Sequence, residues 1–473
     1  MSIPGLGQFA PASTPANSAT PASSSTTTTI SLQPFWEYRF EVSFSSSLNI
    51  RLLSGTAEKD GSELAPNVTY TFKGTNSKIN TWQGCQLEVS PDGPGPYNAK
   101  VAQLTAADTP LVSYLNLHMK LEGFRAAAAA GENSDSMGPR VLVVGPTSSG
   151  KTSAVRMLAS WATRMGRQPL VVNTDSTQGI LSVPGTLSAA VFATLMDITT
   201  EWGGTPSSGP AAVPVKLPLA YYYGLEQPEG NAKLFRSLLS RLAMASTSRL
   251  SEDPEVRNTG MLIDTGAVNA TNPNYDLLSH IVSEFSVNIV ICLGSDIIAA
   301  ELEKRFFGLK TTLGEDIVVV GLDKSSGVVE RDSTFMRQMR ERTIKEYFFG
   351  DAKRTLSPGT QNIAFESVTV WKVTEAESTS DSDYSYDPGA TTVSLQKVEP
   401  SMMMLNCTLA IMYAKPRDSS EAVCEANVMG FVYITDVDET RKRLKVLSPV
   451  NARLGDRPLL WGSWPEPMVS LLD

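Results

Sequence analysis

A candidate phosphate-binding loop follows a short apolar run in the first third of the chain. The run VLVV is followed by Gly145, four further residues, and then Gly150, Lys151 and Thr152. Glycines at both ends let the loop turn its backbone N–H groups inward, and the helix that begins near Lys151 directs its positive dipole end at the same point. In such loops the lysine reaches the β- and γ-phosphates and the next hydroxyl binds Mg²⁺. The spacing therefore predicts a nucleotide-binding site.

The residues on either side of the loop support this interpretation. Ala154, Met157, Leu158 and Trp161 follow it at helical spacing, and an apolar strand precedes it. A chance match to a short pattern is the alternative, but strand, loop and helix occur in the order that phosphate binding requires. We therefore expect a genuine phosphate loop.

A second group of candidate residues follows the next predicted strand, in the segment NTDSTQG. Asp175 at the end of that strand can accept a proton from an attacking hydroxyl or hold Mg²⁺ through water, and Gln178 can orient either one. An aspartate at a strand-to-helix turn can instead cap the helix. The neighbouring phosphate loop favours the chemical role.

A basic helical stretch between residues 328 and 350 provides candidate arginines. It contains Arg331, Arg337, Arg340, Arg342 and Lys345. In a P-loop enzyme such a segment can close over the nucleotide and place an arginine on the transferring phosphate. A solvated helix face explains the charge pattern equally well.

Composition excludes several other kinds of site. The formal net charge of -9 argues against a broad nucleic-acid surface, because such a surface needs a basic face. The 4 cysteines are far apart and the 2 histidines are few, so disulfides, zinc sites and a Ser-His-Asp triad are not expected. Guanine specificity is not predicted either, because the chain lacks an Asn-Lys-x-Asp element. No leader or membrane-spanning run is apparent, which predicts a protein of the cytoplasm or nucleus.

The chain divides by composition into a tail and three domains. Residues 1–33 are rich in Ser, Thr, Ala and Pro, which predicts a disordered tail. Short alternating segments between residues 34 and 120 predict a small β-sandwich. Residues 121–352 alternate apolar strands with helical stretches, which is typical of a parallel sheet flanked by helices.

Strand-like segments return between residues 353 and 473, where a mostly β domain of α+β type is expected. An acidic, serine-rich stretch at 373–390 interrupts them and predicts a mobile loop. Its Ser and Tyr residues could be phosphorylated, but a plain solvated insertion is favoured. The predicted fold class is therefore α/β, with a central P-loop sheet flanked by an N-terminal β-sandwich and a C-terminal mostly β domain.

Eight segments spread along the chain match the pattern of one known family. They are EYRFEV, GTAEKDGSELAPNVTYTF, TWQGCQLEV, GPTSSGKTS, DSTQGILSVPGTLSA, PLAYYYG, VVGLDKSSGVVERDSTFMRQMRERTIKEYFFG, and GFVYITDVD with VLSP. Together they resemble the Clp subunit of eukaryotic pre-mRNA cleavage factor IA (cleavage complex II), a relative of polynucleotide 5′-hydroxyl kinases. The resemblance covers nearly the whole chain apart from the tail. It implies three domains, of which the central one is a kinase-like P-loop domain.

The resemblance also implies a set of site residues. Family members hold ATP and Mg²⁺ between the first two domains, with Glu37 on the adenine side and Lys78 as the best match to its lysine partner. The implied phosphate-binding residues are Gly145, Ser148, Ser149, Gly150, Lys151, Thr152 and Ser153, with Gln178 beside them. In the active branch, Lys151 and Thr152 hold phosphate and Mg²⁺, Asp175 activates the hydroxyl and binds the metal, and Arg331 belongs to the closing lid.

Two departures separate this chain from the catalytically active branch. Met336 stands where that branch has a second lid arginine, and the stretch from Asp264 to Val268 replaces an Asn-Thr-Cys-Gly-Trp element whose tryptophan helps hold RNA. Loss of a cation at the transferring phosphate lowers the rate by several orders of magnitude. Arg337 would project about 100° further round a helix than residue 336.

The departures resemble the fungal branch of the family, whose members are regarded as ATP-binding structural subunits. The prediction is therefore a nuclear subunit of the pre-mRNA cleavage and polyadenylation machinery, required for endonucleolytic cleavage in mRNA 3′-end formation. Its implied partners are the scaffold subunit of cleavage factor IA and other 3′-end processing proteins, with only local or indirect RNA contact. The alternative is an active ATP-dependent polynucleotide 5′-hydroxyl kinase that uses Asp175, Lys151 and Arg331.

Overall fold

The computed structural model describes residues 27–93, 97–103, 110–131, 136–200, 219–268, 274–351, 355–375, 395–450 and 454–472. Within these ranges the strands form three sheets of 7 strands each, arranged in chain order. The predicted α/β fold class, with a β-sandwich on one side of a P-loop domain, is confirmed. No helix in the described ranges is long and apolar enough to cross a membrane.

The first sheet is built from long, alternating strands. Its strands are β1 (Thr28–Leu32), β2 (Trp36–Gly55), β3 (Glu58–Lys59), β4 (Ser62–Glu63), β5 (Thr69–Thr81), β6 (Cys85–Asp92) and β7 (Tyr97–Gln103). They lie in the order β1-β6-β2-β5-β3-β4, and β7 also pairs with β2. Apolar side chains at every second position of β2 are buried, which gives the sheet one hydrophobic face. A register shift between Val42 and Ser47 lets β2 pair with β5 along most of its length.

The disordered tail predicted over residues 1–33 extends too far. Residues 1–26 lie outside the described part of the chain, but β1 pairs antiparallel with β6, in register from Thr28 opposite Val89 to Leu32 opposite Cys85. Leu32 is buried in the core of this sheet. The average composition of the tail did not predict the short strand TTISL, because only two of the five residues in this strand are apolar.

The central domain carries the second sheet and most of the helices. Its elements are α1 (Leu111–Ala130), β8 (Arg140–Val144), α2 (Lys151–Arg164), β9 (Leu170–Asn173), β10 (Thr186–Val191), β11 (Leu219–Tyr222), α3 (Ala232–Glu252), α4 (Pro254–Thr259), β12 (Met261–Asp264), α5 (Tyr275–Glu284), β13 (Ile289–Leu293), α6 (Asp296–Phe306), β14 (Val318–Leu322) and α7 (Ser333–Phe349). The sheet order is β11-β10-β9-β12-β8-β13-β14. Every residue of β8, β9, β12 and β13 is buried, as expected of strands covered on both faces.

The central sheet is parallel, as expected, except at one edge. Strands β9, β12, β8, β13 and β14 run parallel, but β10 is antiparallel to both β9 and β11. No helix lies between β9 and β10. Because a parallel connection needs a crossover, usually a helix, the chain instead turns back beside β9.

The third sheet forms the C-terminal part. Its elements are β15 (Gly359–Ala364), β16 (Val370–Val373), β17 (Leu395–Val398), β18 (Thr408–Met412), α8 (Ser420–Cys424), β19 (Val428–Asp438), β20 (Arg443–Ser448) and β21 (Leu459–Trp461). The order is β15-β20-β19-β18-β21-β16-β17. The mobile loop predicted at 373–390 lies, from residue 376 onward, outside the described residues.

Helix α7 connects the central and C-terminal parts. The hydroxyl of Tyr347 accepts a hydrogen bond from the backbone N–H of Phe431 in β19 at 2.9 Å. Phe348 is fully buried, and its ring lies 6.2 Å from that of Tyr433. These contacts fix the C-terminal end of α7 in the third sheet, while its N-terminal half extends toward the phosphate loop.

Candidate nucleotide-binding site

The phosphate loop lies between the end of β8 and the start of α2, as the sequence predicts. Gly145, Ser148 and Gly150 have φ angles of 157°, 52° and 89°. Positive φ angles at these positions curl the backbone so that its N–H groups can converge on an anion. A Cβ atom on Gly145 would lie 2.5 Å from the carbonyl oxygen of Leu293 in the adjacent strand β13. Position 145 therefore accepts only glycine without a backbone shift.

Lys151 is folded back over this loop. Its side chain is 8% exposed, and Nζ donates hydrogen bonds to the carbonyl oxygens of Gly145 at 3.1 Å and Pro146 at 3.0 Å. Burial lowers the pKa of the Lys151 ammonium, and the charges of Asp264 and Asp175 oppose that shift. A phosphate in the loop would therefore bring this buried cation a close negative charge.

Asp264 is a site residue that sequence analysis did not assign. It ends β12, the strand beside β8, and its Oδ2 accepts a hydrogen bond from Thr152 Oγ1 at 2.6 Å. The side chain is 1% exposed, and Oδ1 has no hydrogen-bond partner among the described residues. Burial raises the pKa of this carboxyl to about 7, although the hydrogen bond from Thr152 and the charge of Lys151 act in the opposite direction. A buried carboxylate with one unpaired oxygen beside a loop threonine is suited to a cation or a hydrogen-bond donor.

Asp175 and Gln178 both line the cleft in front of the loop. Asp175 Oδ1 accepts hydrogen bonds from the backbone N–H of Thr177 at 2.9 Å and from Thr177 Oγ1 at 2.6 Å. The carboxylate thus closes a turn between β9 and β10. It caps no helix, so the capping alternative is wrong.

The N-terminal sheet contributes the opposite wall through Arg39 and Lys78. Glu37 is fully buried behind them, with Oε2 at 2.8 Å from Lys78 Nζ and Oε1 paired with Arg39 Nε. Arg39 Nη2 donates to Ser326 Oγ at 3.1 Å, and a Cβ on Gly327 would lie 2.7 Å from Arg39 Nε. Lys78 therefore lies beside Glu37, whose carboxylate does not reach the cleft wall, and Arg39 joins this sheet to the segment before α7.

The cleft enclosed by these parts has a volume of about 1050 Å³. The N-terminal sheet, the phosphate loop with α2, and the segment that leads into α7 all line it. The structure brings most of the sequence-predicted residues to this cleft, namely Lys78, Ser148, Ser149, Gly150, Lys151, Thr152, Ser153, Asp175, Gln178 and Arg331.

Helix α7 approaches the cleft with Arg331 just before it and Met336 on its first turns. The guanidinium of Arg331 lies 5.6 Å from the centre of the Phe335 ring, and that ring lies 5.2 Å from the ring of Phe44 in β2. Met336 lines the cleft. The segment from Arg331 into α7 is thus packed against the N-terminal sheet, and Met336 presents its thioether to the cleft.

The other lid arginines are held by carboxylates. Arg337 Nε donates to Glu341 at 3.0 Å, and its side chain is 55% exposed. Arg340 borders the cleft, but its guanidinium donates to both oxygens of Glu466, at 3.1 and 2.5 Å, and stacks 4.5 Å from the Trp464 ring. Both guanidinium groups are therefore engaged by neighbouring carboxylates, Arg337 within the helix and Arg340 with the C-terminal part.

These elements define a P-loop nucleotide-binding protein. They are a strand, a glycine-bounded loop and a helix, with an acidic residue on the adjacent parallel strand and a basic helix that borders the cleft. Three family models match the chain in sequence: the N-terminal β-sandwich domain of polyadenylation factor over residues 31–128, the mRNA cleavage and polyadenylation factor CLP1 P-loop over 145–350, and the pre-mRNA cleavage complex II protein Clp1 over 356–466. The chain belongs to the Clp1 family of mRNA cleavage and polyadenylation factors.

Fungal relatives support this assignment over the full length. The mRNA cleavage and polyadenylation factors Clp1 of Botryotinia fuckeliana and Pyricularia oryzae are 52% and 48% identical to this chain. Each alignment covers 100% of this chain and 100% of the relative. The solved wild-type Clp1p–Pcf11p complex matches with a TM-score of 0.81 and 28% identity, covering 93% of this chain and 98% of the solved one. A second structure of that pair, equally similar, concerns their extended interface and ATP loss in a point mutant. The family resemblance inferred from eight segments is confirmed.

Proposed function

We propose that this protein is an ATP-binding structural subunit of the nuclear machinery that cleaves and polyadenylates pre-mRNA. The observation that carries the proposal is that one cleft is walled by three separate parts of the chain. A nucleotide in this cleft would contact all three and hold them together. A ligand that binds only the folded protein also stabilises it by mass action.

The residues present suit a triphosphate with Mg²⁺. The loop supplies N–H donors and Lys151 supplies a buried cation, while Thr152 and Asp264 supply the hydroxyl and carboxylate that hold Mg²⁺ in P-loop proteins. The unpaired Oδ1 of Asp264 is the observation in favour of such a metal. Asp175 faces the same cleft and can bind the ion through water. When bound, Mg²⁺ neutralises phosphate charge and so favours retention of ATP.

The partner proposed for this chain is the scaffold subunit of cleavage factor IA. The similar solved chain was determined in a complex with Pcf11p, and the fungal relatives are named as cleavage and polyadenylation factors. The net charge of -9 favours protein partners over extensive RNA backbone contact.

A second candidate function, polynucleotide 5′-hydroxyl kinase, has one observation in its favour. Lys151, Thr152, Asp175 and Arg331 all line a single cleft. Against it, Met336 supplies no charge, and Arg340 is bound by Glu466. The structural role is therefore the better supported of the two.

Purified wild-type protein is expected to release intact ATP on denaturation and to transfer no phosphate to a 5′-hydroxyl RNA oligonucleotide. Transfer of labelled γ-phosphate should become measurable in the double variant Met336→Arg with Val268→Trp, because it restores a lid cation and an RNA-holding ring. Return of one catalytic cation is worth about 10³-fold in rate. Gln338→Arg, an exposed position on the same helix, is the matched control and should leave transfer at zero.

The opposite result is equally clear in this assay. Phosphate transfer by the wild-type protein that disappears in Asp175→Ala would make the chain a working RNA kinase. Steady ATP hydrolysis without RNA would contradict both candidate functions.

Substitution of Asp264 by asparagine is expected to remove the metal dependence of ATP retention. In the wild-type protein, EDTA should accelerate the loss of bound ATP, because Mg²⁺ links the phosphates to this part of the site. An asparagine at position 264 can still accept a hydrogen bond from the Thr152 hydroxyl but supplies no charge to the metal. The rate at which Asp264→Asn loses bound ATP should therefore be similar with and without EDTA. Chromatography of retained nucleotide over time gives the measurement. An unchanged EDTA effect in Asp264→Asn would exclude Asp264 from the metal site.

A further inference from the structure

Residues 462–471 form a C-terminal strap that joins the central domain to the third sheet. The backbone N–H of Trp464 donates to the carbonyl oxygen of Gly224 at 3.0 Å, and the Tyr222 hydroxyl donates to the carbonyl oxygen of Trp464 at 2.9 Å. Tyr222 is fully buried, and a Cβ on Gly462 would overlap the Gly224 carbonyl oxygen. The start of the C-terminal strap is therefore fixed closely against the end of β11.

The other end of the C-terminal strap is fixed in the third sheet. The hydroxyl of Tyr433 in β19 donates to the Met468 carbonyl oxygen at 2.6 Å, and the Met468 N–H donates to the Asn406 carbonyl oxygen at 2.9 Å. Met468 and Leu471 are both buried. Glu466 thus lies between two anchored points of the strap.

Glu466 binds the middle of α7 at the border of the nucleotide cleft. Both of its carboxylate oxygens accept hydrogen bonds from the Arg340 guanidinium, which also stacks on the Trp464 ring. The Arg340 side chain is 13% exposed and that of Glu466 is 26% exposed. A bidentate ion pair of limited exposure holds an arginine more firmly than a single contact on the open surface does. The C-terminal strap therefore fixes Arg340, which lines the cleft.

Helix α7 also contacts the N-terminal sheet. The Phe335 and Phe44 rings lie 5.2 Å apart, and Arg342 Nη1 donates to the carbonyl oxygen of Lys73 at 2.7 Å. Arg340 lies between these two positions on the helix. The part of α7 that borders the cleft is therefore held by the N-terminal sheet and by the C-terminal strap at once.

Movement of α7 would open the wall that this helix contributes to the cleft. Since Phe348, near the C-terminal end of α7, is fully buried against the third sheet, the movement displaces the half of the helix that borders the cleft. Glu466 belongs to a strap that is fixed at both ends, so it does not follow this displacement. The pair between Arg340 and Glu466 must then break, and it therefore opposes opening of the cleft.

Given the proposed binding of ATP, on which this inference rests, we propose that Glu466 is a positioning residue that acts through Arg340 to slow the entry and the release of ATP. The pair does not include the nucleotide, so it holds α7 in place whether ATP is bound or not. Its loss should accelerate entry and release alike and leave the dissociation constant nearly unchanged. Loss of a direct contact with ATP would instead change the affinity, mainly through the release rate.

The test is the rate at which full-length protein loaded with labelled ATP exchanges it for excess unlabelled ATP. Glu466→Gln keeps the shape of the side chain and removes its charge. It should release ATP about 10-fold faster than wild type, as expected when a charge-assisted pair becomes a neutral contact. Stopped-flow measurement of ATP binding to the nucleotide-free protein should show a similar acceleration, so that the dissociation constant changes by less than about 3-fold.

Glu341→Gln is the matched control and should keep both wild-type rates. Glu341 pairs with Arg337 on the same helix, and its exposed fraction of 25% is close to that of Glu466. Glu466→Asp retains the charge and should exchange ATP at a rate closer to wild type than to Glu466→Gln. Arg340→Gln breaks the pair from the helix side and supplies the same test if Glu466→Gln does not fold. The double variant should release ATP no faster than the faster single variant.

Release from Glu466→Gln at the wild-type rate overturns this inference alone. Slower release also overturns it, because Glu466 would then withhold Arg340 from the phosphates. Faster release with an unchanged binding rate overturns it as well, since the pair would then support the bound nucleotide and not the position of α7. Wild-type protein that binds no ATP would overturn the proposed function together with this inference.

Discussion

Replacement of Lys151 by alanine is expected to weaken ATP binding by about a hundredfold or more, the equivalent of losing one strong charge-assisted contact. Nζ is held over the phosphate loop by the carbonyl oxygens of Gly145 and Pro146. Since the side chain is 8% exposed, its contact with phosphate is made with little competition from water. Protein purified as Lys151→Ala should release almost no ATP on denaturation.

This variant separates loss of the ligand from loss of the fold. Burial lowers the pKa of Lys151, which shows that the charge is held at a cost in the nucleotide-free protein. Nucleotide-free Lys151→Ala should therefore melt no lower than nucleotide-free wild type, while addition of ATP should raise the melting temperature of the wild type only. Lys120→Ala, an exposed lysine on α1, is the matched control. Equal ATP content in Lys151→Ala and wild type would show that the phosphates bind elsewhere.

The phosphate loop could be predicted from sequence because its signal is local. Gly145, Gly150, Lys151 and Thr152 lie within eight positions, and the adjacent strand and helix have clear periodicity. Asp175 was found for a similar reason, since it ends the next predicted strand. In each case the residues that define the feature are close together in the chain.

Asp264 and Arg39 were missed because their roles depend on contacts distant in sequence. Asp264 meets Thr152 only because β12 lies beside β8 in the sheet, an order that the alternation of strands and helices does not specify. Arg39 acquires its place at the cleft from Ser326, 287 residues away in the chain. A search for acidic residues at the ends of buried strands would have found Asp264, but not its partner.

The lid shows a further limit of sequence reasoning. The resemblance predicts that position 336 departs from the active branch, and the structure places Met336 at the cleft. That Arg340 would be bound by Glu466, 126 residues later, could not be anticipated from the charge pattern of the helix. Whether an arginine is available for catalysis depends on which residue it contacts in the folded protein.

The other large effect is expected at Glu58, whose buried carboxylate joins the N-terminal sheet to α2. Its Oε1 accepts hydrogen bonds from Asn80 Nδ2 at 3.1 Å and Trp82 Nε1 at 3.0 Å. Asn80 lies in β5 of the first sheet, and Trp82 directly follows that strand. Its Oε2 accepts from Arg164 Nη1 at 2.7 Å and Trp161 Nε1 at 3.4 Å, both on α2. One carboxylate of 4% exposure thus satisfies donors from two domains.

Glu58→Ala is expected to lower the free energy of unfolding by about 3 kcal/mol, because several buried donors lose their acceptor. Urea unfolding should show the first sheet separating before the rest, and limited proteolysis should cleave near it sooner. Glu63→Ala is the matched control: Glu63 also pairs with Arg164, at 3.1 Å, but is 52% exposed, so its loss should cost less than about 1 kcal/mol. Lys59, the next residue in β3, lines the cleft, so Glu58→Ala should weaken ATP binding as well. Equal effects of the two substitutions would show that Glu58 does not hold the two domains together.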